Sequence, residues 1–236
     1  MSSSYVGPRM RFLALMQLPR IPTAGCAVLV ILSLLLAHLI PIHSRAQEPS
    51  PIPVDILAGN KGVNLEGWMY RRFGEDSHFS FFNYTQVGVP WESRNKAVTF
   101  INGVVIYEFT ELVGVAGGGY LTGGSFVPTA SLSFYYERED LSINVFPTIE
   151  LVNRTAFELF LIGIYRPKIT EDLRGFAMVA TATNFSPNQH NFSSQNIRIG
   201  IDLGRWQLGP GVNFEQIGSS RTSTVNAGVF LRHEFR

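Results

Sequence analysis

The sequence is almost free of cysteine, because Cys26 is the only one among its 236 residues. That residue lies in an N-terminal segment that we expect to be removed on export, which leaves a mature chain without any thiol. Disulfide bonds, thiolate metal sites and cysteine nucleophiles are therefore excluded for the mature protein.

Long apolar runs are missing beyond residue 46, although 45% of all residues are hydrophobic. An excess of positive charge is missing as well, since four of the 19 basic residues precede position 47 and all 18 acidic residues follow it. The mature chain is weakly acidic, so we expect no nucleic-acid partner. Apolar residues spread thinly over alternating positions are typical of β-strands that cross a membrane.

The first 46 residues have the pattern of an export signal. Basic residues precede an apolar run at 27–40, and the small residues Ser44 and Ala46 suit cleavage after Ala46. The apolar run of about 14 residues is shorter than the ~20 that a membrane-spanning helix needs. We predict a signal peptide over 1–46, and a retained membrane anchor is the alternative.

Alternation of apolar and polar residues is clearest near the C-terminus. In 197–203 the apolar residues Ile197, Ile199 and Ile201 are separated by Arg198 and Gly200. Successive side chains of a strand point to opposite faces, so such a stretch has one apolar and one polar face. We predict an all-β fold, an antiparallel up-and-down transmembrane β-barrel of about ten strands over 77–236.

Residues 47–76 precede these strands and are predicted to form a periplasmic N-terminal segment. The proline-rich part, 47–61, is expected to be irregular. Residues 62–73 have strand character, so they either add a strand or fold against the mouth of the barrel. With this segment included, twelve strands are possible.

The breaks between the strands fall into two classes. Short or charged turns alternate with breaks that are mostly longer and rich in Gly, Ser and Asn. Outer-membrane barrels have short periplasmic turns and longer external loops, so the second class is expected to be external and to form the functional surface. These predicted loops are 88–96, 122–128, 152–154, 186–196 and 218–223.

The closing strand carries a resemblance to a known class. Ala227, Val229, Leu231 and Phe235 occupy alternate positions and end in an aromatic residue. The chain thereby resembles, over about 77–235, the small outer-membrane β-barrel proteins of Gram-negative bacteria. The resemblance implies an outer-membrane location, contact with outer-membrane lipids, and reading of these four residues by the barrel assembly machinery. His233 and Arg236 depart from the pattern.

Charged residues on the inward face are the main candidates for function. In a barrel of about ten strands side chains nearly fill the lumen, and a charge held away from water needs a partner. We therefore predict a plugged lumen and a structural or surface-interaction role, with a small porin-like channel for polar solutes as the alternative. The predicted network comprises Glu137, Glu150, Glu158, Arg166, Arg198, Asp202, Glu215, Arg232 and Glu234.

Enzymatic interpretations rest on few residues. His78 and Ser80 resemble the His-x-Ser arrangement of outer-membrane lipid A deacylases, with Glu108 as a conceivable carboxylate partner. His190, in the longest predicted loop, lacks the acidic residues that omptin-type proteases require. We expect a non-enzymatic protein without cofactor or metal and with an unidentified loop ligand. A secreted β-sandwich or lipocalin-like carrier is the alternative outside the membrane.

Overall fold

Twelve β-strands make up the secondary structure of the computed structural model, which describes residues 50–93, 97–152, 156–220 and 222–236. In this part of the chain no helix is long and apolar enough to cross a membrane. The strands are β1 Ile52–Gly59, β2 Gly62–Arg72, β3 Phe79–Pro90, β4 Val98–Glu108, β5 Val113–Thr122, β6 Ser125–Glu137, β7 Leu141–Glu150, β8 Phe157–Tyr165, β9 Arg174–Ser186, β10 Gln189–Leu203, β11 Trp206–Ile217 and β12 Thr222–Phe235.

Each strand pairs antiparallel with its neighbours in the chain, and pairing of β1 with β12 closes the sheet. The register of this seam runs from Ile52 opposite Phe235 to Gly59 opposite Gly228. The predicted fold, a closed up-and-down antiparallel barrel, is confirmed. We call the end that carries Ile52 and Phe235 the terminal end, and the opposite end the far end.

The prediction of an irregular periplasmic segment over 47–61 is wrong where β1 forms. Residues 52–59 pair with β12 and residues 54–58 pair with β2, which is the extra strand left open for 62–73. The prolines of this segment predicted irregular structure. Pro53, however, lies near the start of β1, where proline is tolerated. The barrel therefore begins at Ile52 and has twelve strands, while the predicted signal peptide 1–46 lies outside the described residues.

The outer face of the barrel is apolar and its inner face is partly polar. Val229 is 63% exposed on the outside, whereas Arg198 has no exposed surface inside. Such an inverted distribution suits a wall surrounded by lipid. Exposed aromatic residues lie near both ends, as expected for interfacial girdles: Phe79, Tyr107, Trp206 and Phe235 at the terminal end, and Trp91, Phe126, Phe157 and Phe185 at the far end.

Two of the predicted external loops are wrong. The break at 122–128 is a two-residue turn at Gly123 and Gly124, whose φ angles of 55° and 80° favour glycine and suit a tight hairpin. The break at 186–196 is mostly strand, since β9 ends at Ser186 and β10 begins at Gln189. Polar residues on both faces of β10 made its far-end half look like a loop.

Three inward-facing glycines form a row across the seam: Gly59 on β1, Gly228 on β12 and Gly211 on β11. A Cβ atom on Gly228 would lie 2.0 Å from the carbonyl oxygen of Ala58, and one on Gly211 would lie 2.9 Å from Cδ of Arg198. This glycine row lets β1 approach β12 closely and leaves space for the Arg198 side chain.

Candidate functional site

The lumen has an apolar part that the alternation of residues in the sequence did not predict. Side chains mostly from β3 to β9 pack into a buried cluster, which we call the lumen core. Its members are Leu57, Phe82, Tyr84, Val104, Ile106, Ala116, Phe146, Phe160, Ile162, Ile164, Phe176, Met178, Ala180 and Phe230.

Aromatic rings of the lumen core contact one another across the barrel. The Phe82 ring on β3 lies 4.9 Å from that of Phe146 on β7, measured between ring centroids. The Tyr84 ring, also on β3, lies 5.0 Å from that of Phe160 on β8. Because β3 and β8 stand on nearly opposite sides of the closed sheet, these rings extend over much of its cross-section.

Facing the lumen core is a polar wall, formed by the inward polar residues of β1, β2 and β10 to β12. Its members cluster because strand pairing sets them side by side: Glu66 is opposite Asp55, Asp55 opposite Arg232, and Arg232 opposite Gln207. The polar wall consists of Asp55, Asn64, Glu66, Asn196, Arg198, Asp202, Gln207, Asn213, Asn226, Arg232 and Glu234, all of them buried.

Arg198 is the central group of the polar wall. Its Nε and Nη2 donate to Oδ1 of Asp55 at 3.0 and 2.9 Å, and its Nη1 donates to Oδ1 of Asn213 at 2.7 Å. Nη2 also lies 3.8 Å from Oε2 of Glu66, which accepts a hydrogen bond from Asn196 at 2.8 Å. Arg198 faces the lumen, and its partners Asp55 and Glu66 lie in 47–76, which was not assigned to the barrel.

A second charged group lies nearer the terminal end. Arg166 forms a bidentate pair with Glu234, and its Nη1 lies 3.8 Å from Oδ2 of Asp202. Arg232 donates to Oε1 of Glu234 at 3.1 Å, and its guanidinium lies 4.4 Å from the centre of the Trp68 ring. The structure thus brings together four members of the predicted network.

Glu150 and Glu158 form a separate group towards the far end. Oε1 of Glu150 accepts hydrogen bonds from Tyr120 at 2.5 Å and from Asn184 at 2.7 Å, and Asn184 also lies 3.4 Å from Oε2 of Glu158. Neither carboxylate forms an ion pair with a described residue. Within the described ranges, a phenol and an amide are their hydrogen-bond partners.

The remaining two members of the predicted network lie apart from both charged groups. Glu137 is exposed at the terminal end, where it accepts a hydrogen bond from Tyr135. Glu215 is on β11, opposite Ser194 of β10 and Thr224 of β12. The nine predicted residues thus belong to several local groups instead of one network.

The candidate catalytic pair does not have hydrolase geometry. Ser80 is buried and donates to Oε1 of Glu108 at 2.7 Å, whereas His78 is exposed and its Nδ1 lies 3.0 Å from the backbone oxygen of Glu108. Within the described residues no hydrogen bond joins His78 to Ser80. Glu108 also accepts hydrogen bonds from Tyr70 and Arg72, so its carboxylate belongs to a rim network and does not orient the histidine.

The other two residues singled out by the sequence have simple surroundings. His190 lies on β10, where its Nδ1 and Nε2 lie 3.1 Å from the oxygen of Gly218 and 2.8 Å from Oγ of Ser193. His233 packs between aromatic rings, 4.2 Å from that of Trp206 and 4.6 Å from that of Phe235. Its ring therefore replaces an apolar residue in the terminal-end girdle.

The four residues of the predicted assembly signal lie on the outer face of β12. Ala227, Val229, Leu231 and Phe235 are all exposed there. This arrangement fits the alternation that predicted them. Their reading by the assembly machinery stays a prediction.

A vestibule opens at the terminal end and contains two chambers. The larger measures about 780 Å³ and the smaller about 420 Å³. Tyr70 and Tyr135 line both chambers, and their rings stack with centroids 6.1 Å apart. Both tyrosines face inward.

Comparisons with known proteins found similarity to solved structures only. No protein-family model and no curated protein matches the chain. It is similar to the solved structures of a NanC porin, with a TM-score of 0.45 and 8% identity, and of a KdgM porin, with a TM-score of 0.42 and 14% identity. Each covers 79% of this chain and 99% of the other. At such values the similarity concerns the fold alone.

Proposed function

We propose that this chain is an integral outer-membrane β-barrel with a structural role, whose lumen is closed to solutes. The observation that carries the proposal is the contact of aromatic rings across the lumen, between Phe82 on one side and Phe146 and Phe160 on the other. Packed side chains leave no continuous path for water where they meet. The outer apolar face and the two aromatic girdles support a membrane location.

The polar wall, on the side of the lumen opposite the lumen core, also supports the proposal that the lumen is closed to solutes. Arg198 and Arg232 are buried, and each is bonded to a carboxylate: Arg198 on β10 to Asp55 on β1, and Arg232 to Glu234 on its own strand. Buried charges that are already paired are poorly available to a passing solute. The hairpin turns 123–124 and 187–188 at the far end have two residues each, so these two connections offer little surface for binding. A structural role therefore agrees better with this geometry than binding through long loops.

A small channel for polar solutes is the second candidate function. The polar wall favours it, because inward polar residues follow one another from Asn226 near the far end to Glu234 near the terminal end. Solute passage along this wall would require the lumen core to withdraw. A hydrolase receives no support from the positions of His78 and Ser80.

Electrical recording distinguishes the two candidates. We expect the purified mature protein to give no stepwise currents in planar lipid bilayers, because the lumen core separates the two aqueous sides. Truncating the rings of Phe82 and Phe160 to alanine should open a path and produce current steps. Truncating their outward-facing neighbours Phe81 and Leu159 should leave the membrane non-conducting. Stepwise currents from the parent protein would overturn closure and favour the channel.

A further inference from the structure

We propose that a small cavity of the lumen, towards the far end, binds one calcium ion between the carboxylates of Glu150 and Glu158. The cavity measures about 10 Å³, which is roughly the space that one water molecule needs. Three of its lining residues, Val104, Phe146 and Phe160, belong to the lumen core. All of its other lining residues carry a side-chain oxygen atom, namely Asn102, Tyr120, Thr129, Ser131, Thr148 and Glu158.

Strand pairing brings these oxygen atoms together. Thr129 on β6 is opposite Glu150 on β7, and Glu158 on β8 is opposite both Thr148 on β7 and Asn184 on β9. The amide nitrogen of Asn184 lies 2.7 Å from Oε1 of Glu150 and 3.4 Å from Oε2 of Glu158. One small group between the two carboxylates can therefore contact both of them, as this amide does.

Buried oxygen atoms without partners at this cavity point to a ligand. Glu150 and Glu158 are 9% and 5% exposed, and within the described residues neither Oε2 of Glu150 nor Oε1 of Glu158 accepts a hydrogen bond. Thr129 is 4% exposed and lines the cavity, and in the same part of the chain its hydroxyl has no hydrogen-bond partner either. Carboxylates held away from water require a compensating charge. Two carboxylates and a free hydroxyl together therefore favour a cation.

The ligand set favours calcium over other common cations. Carboxylate, hydroxyl and amide oxygen atoms suit Ca²⁺ and Mg²⁺, whereas Na⁺ would neutralise only one of the two charges. Ca²⁺ tolerates irregular geometry, but Mg²⁺ requires a near-ideal octahedron and usually keeps several waters, for which a cavity of about 10 Å³ has no room. The described residues contain no group of three or more His, Cys, Asp or Glu that could hold a metal ion, so neutral oxygen atoms such as that of Thr129 would complete the coordination.

Terbium luminescence is a direct probe of this site, because Tb³⁺ substitutes for Ca²⁺ and its emission is sensitised by a nearby tyrosine. Oη of Tyr120 lies 2.5 Å from Oε1 of Glu150, so an ion bound there would be next to a sensitising ring. We expect the folded mature protein in an uncharged detergent to give saturable emission, which Ca²⁺ abolishes at concentrations at least tenfold lower than Mg²⁺ does. Equal displacement by the two ions, or no saturable emission, would overturn the proposal.

Two conservative substitutions locate the ion. Glu158→Gln removes one carboxylate charge and should weaken Tb³⁺ binding at least tenfold, and Thr129→Val removes the free hydroxyl and should weaken it at least threefold. The matched control is Glu137→Gln, which changes another Tyr–Glu pair at the terminal end and should leave binding unchanged. Thr129→Val tests the site even if Glu158→Gln fails to fold, as judged by heat-modifiable mobility. Affinities equal to that of Glu137→Gln would contradict the assignment.

Arg154 is the competing partner for the two carboxylates, because it lies between Glu150 and Glu158 in the sequence and outside the described residues. If the ion occupies the site, Arg154→Met should bind Tb³⁺ with the affinity of the parent. Binding that appears only after this substitution would mean that the guanidinium group neutralises the carboxylates, and the calcium proposal would be wrong.

Discussion

Replacing Arg198 with methionine should lower the free energy of unfolding by about 3–5 kcal/mol, the usual result of removing one partner of a buried ion pair. Arg198 has no exposed surface, and its loss would leave the carboxylate of Asp55 without its partner and Asn213 without a donor. Neither group could be reached easily by water. The measurement is urea-dependent folding into lipid vesicles, followed by the mobility difference between heated and unheated protein.

Two further variants separate the effect of the buried pair from the loss of any charge. Arg174→Met removes an arginine whose side chain is 38% exposed and lies 3.6 Å from Glu139. The free energy of unfolding of this variant should differ from that of the parent by less than about 1 kcal/mol. Combining Arg198→Met with Asp55→Leu removes both charges and should recover part of the loss. If Arg198→Met is as stable as Arg174→Met, the proposal that the Arg198–Asp55 pair stabilises the barrel is wrong.

Adding a single methyl group at Gly228 is expected to have the second large effect. The new Cβ atom would lie 2.0 Å from the carbonyl oxygen of Ala58 and 2.5 Å from Cα of Gly59, so the backbone of β1 must move away from β12. Overpacking usually costs about 1–3 kcal/mol, and we expect the upper part of this range because the obstacle is backbone. Gly228→Ala should therefore reduce the fraction of heat-modifiable, closed barrel.

Gly117→Ala is the matched control for this substitution. Gly117 is also within a strand, but a Cβ atom there would have no neighbour within 4 Å. Folding costs less backbone entropy at alanine than at glycine. The free energy of unfolding of Gly117→Ala should therefore equal that of the parent or exceed it by less than about 1 kcal/mol. Equal loss in both variants would mean that glycine is needed for its flexibility and not for the close approach at the seam.

The outer face of the barrel could be predicted from the sequence, whereas much of its interior could not. Where inward residues are polar, as in 197–203, alternation identifies both faces. In 159–164 every residue but Gly163 is apolar, although Phe160, Ile162 and Ile164 point inward and Leu159 points outward. The hydrophobic pattern cannot distinguish lipid from a packed lumen, because both accept the same side chains. The lumen core was therefore missed.

Partners of the charged residues could not be predicted for a different reason. Asp55 and Arg198 are 143 residues apart in the chain, and they meet only because β1 pairs with β12. Alternation shows which way a side chain points but contains no information on register between distant strands. Glu150 and Glu158 lie inside the barrel, and identifying their hydrogen-bond partners Tyr120 and Asn184 required the register of several strands.

The position of the polar wall has a consequence for the order of assembly. Lumen-core contacts such as Phe146 with Phe160 link neighbouring strands and can form early. The pair of Arg198 with Asp55 instead joins β10 to β1, so it forms only when the first strand meets the end of the chain. An unclosed sheet in the bilayer would hold these charges unpaired, at a high energetic cost. We therefore expect the buried charges to disfavour half-inserted intermediates and to make the final closure step cooperative.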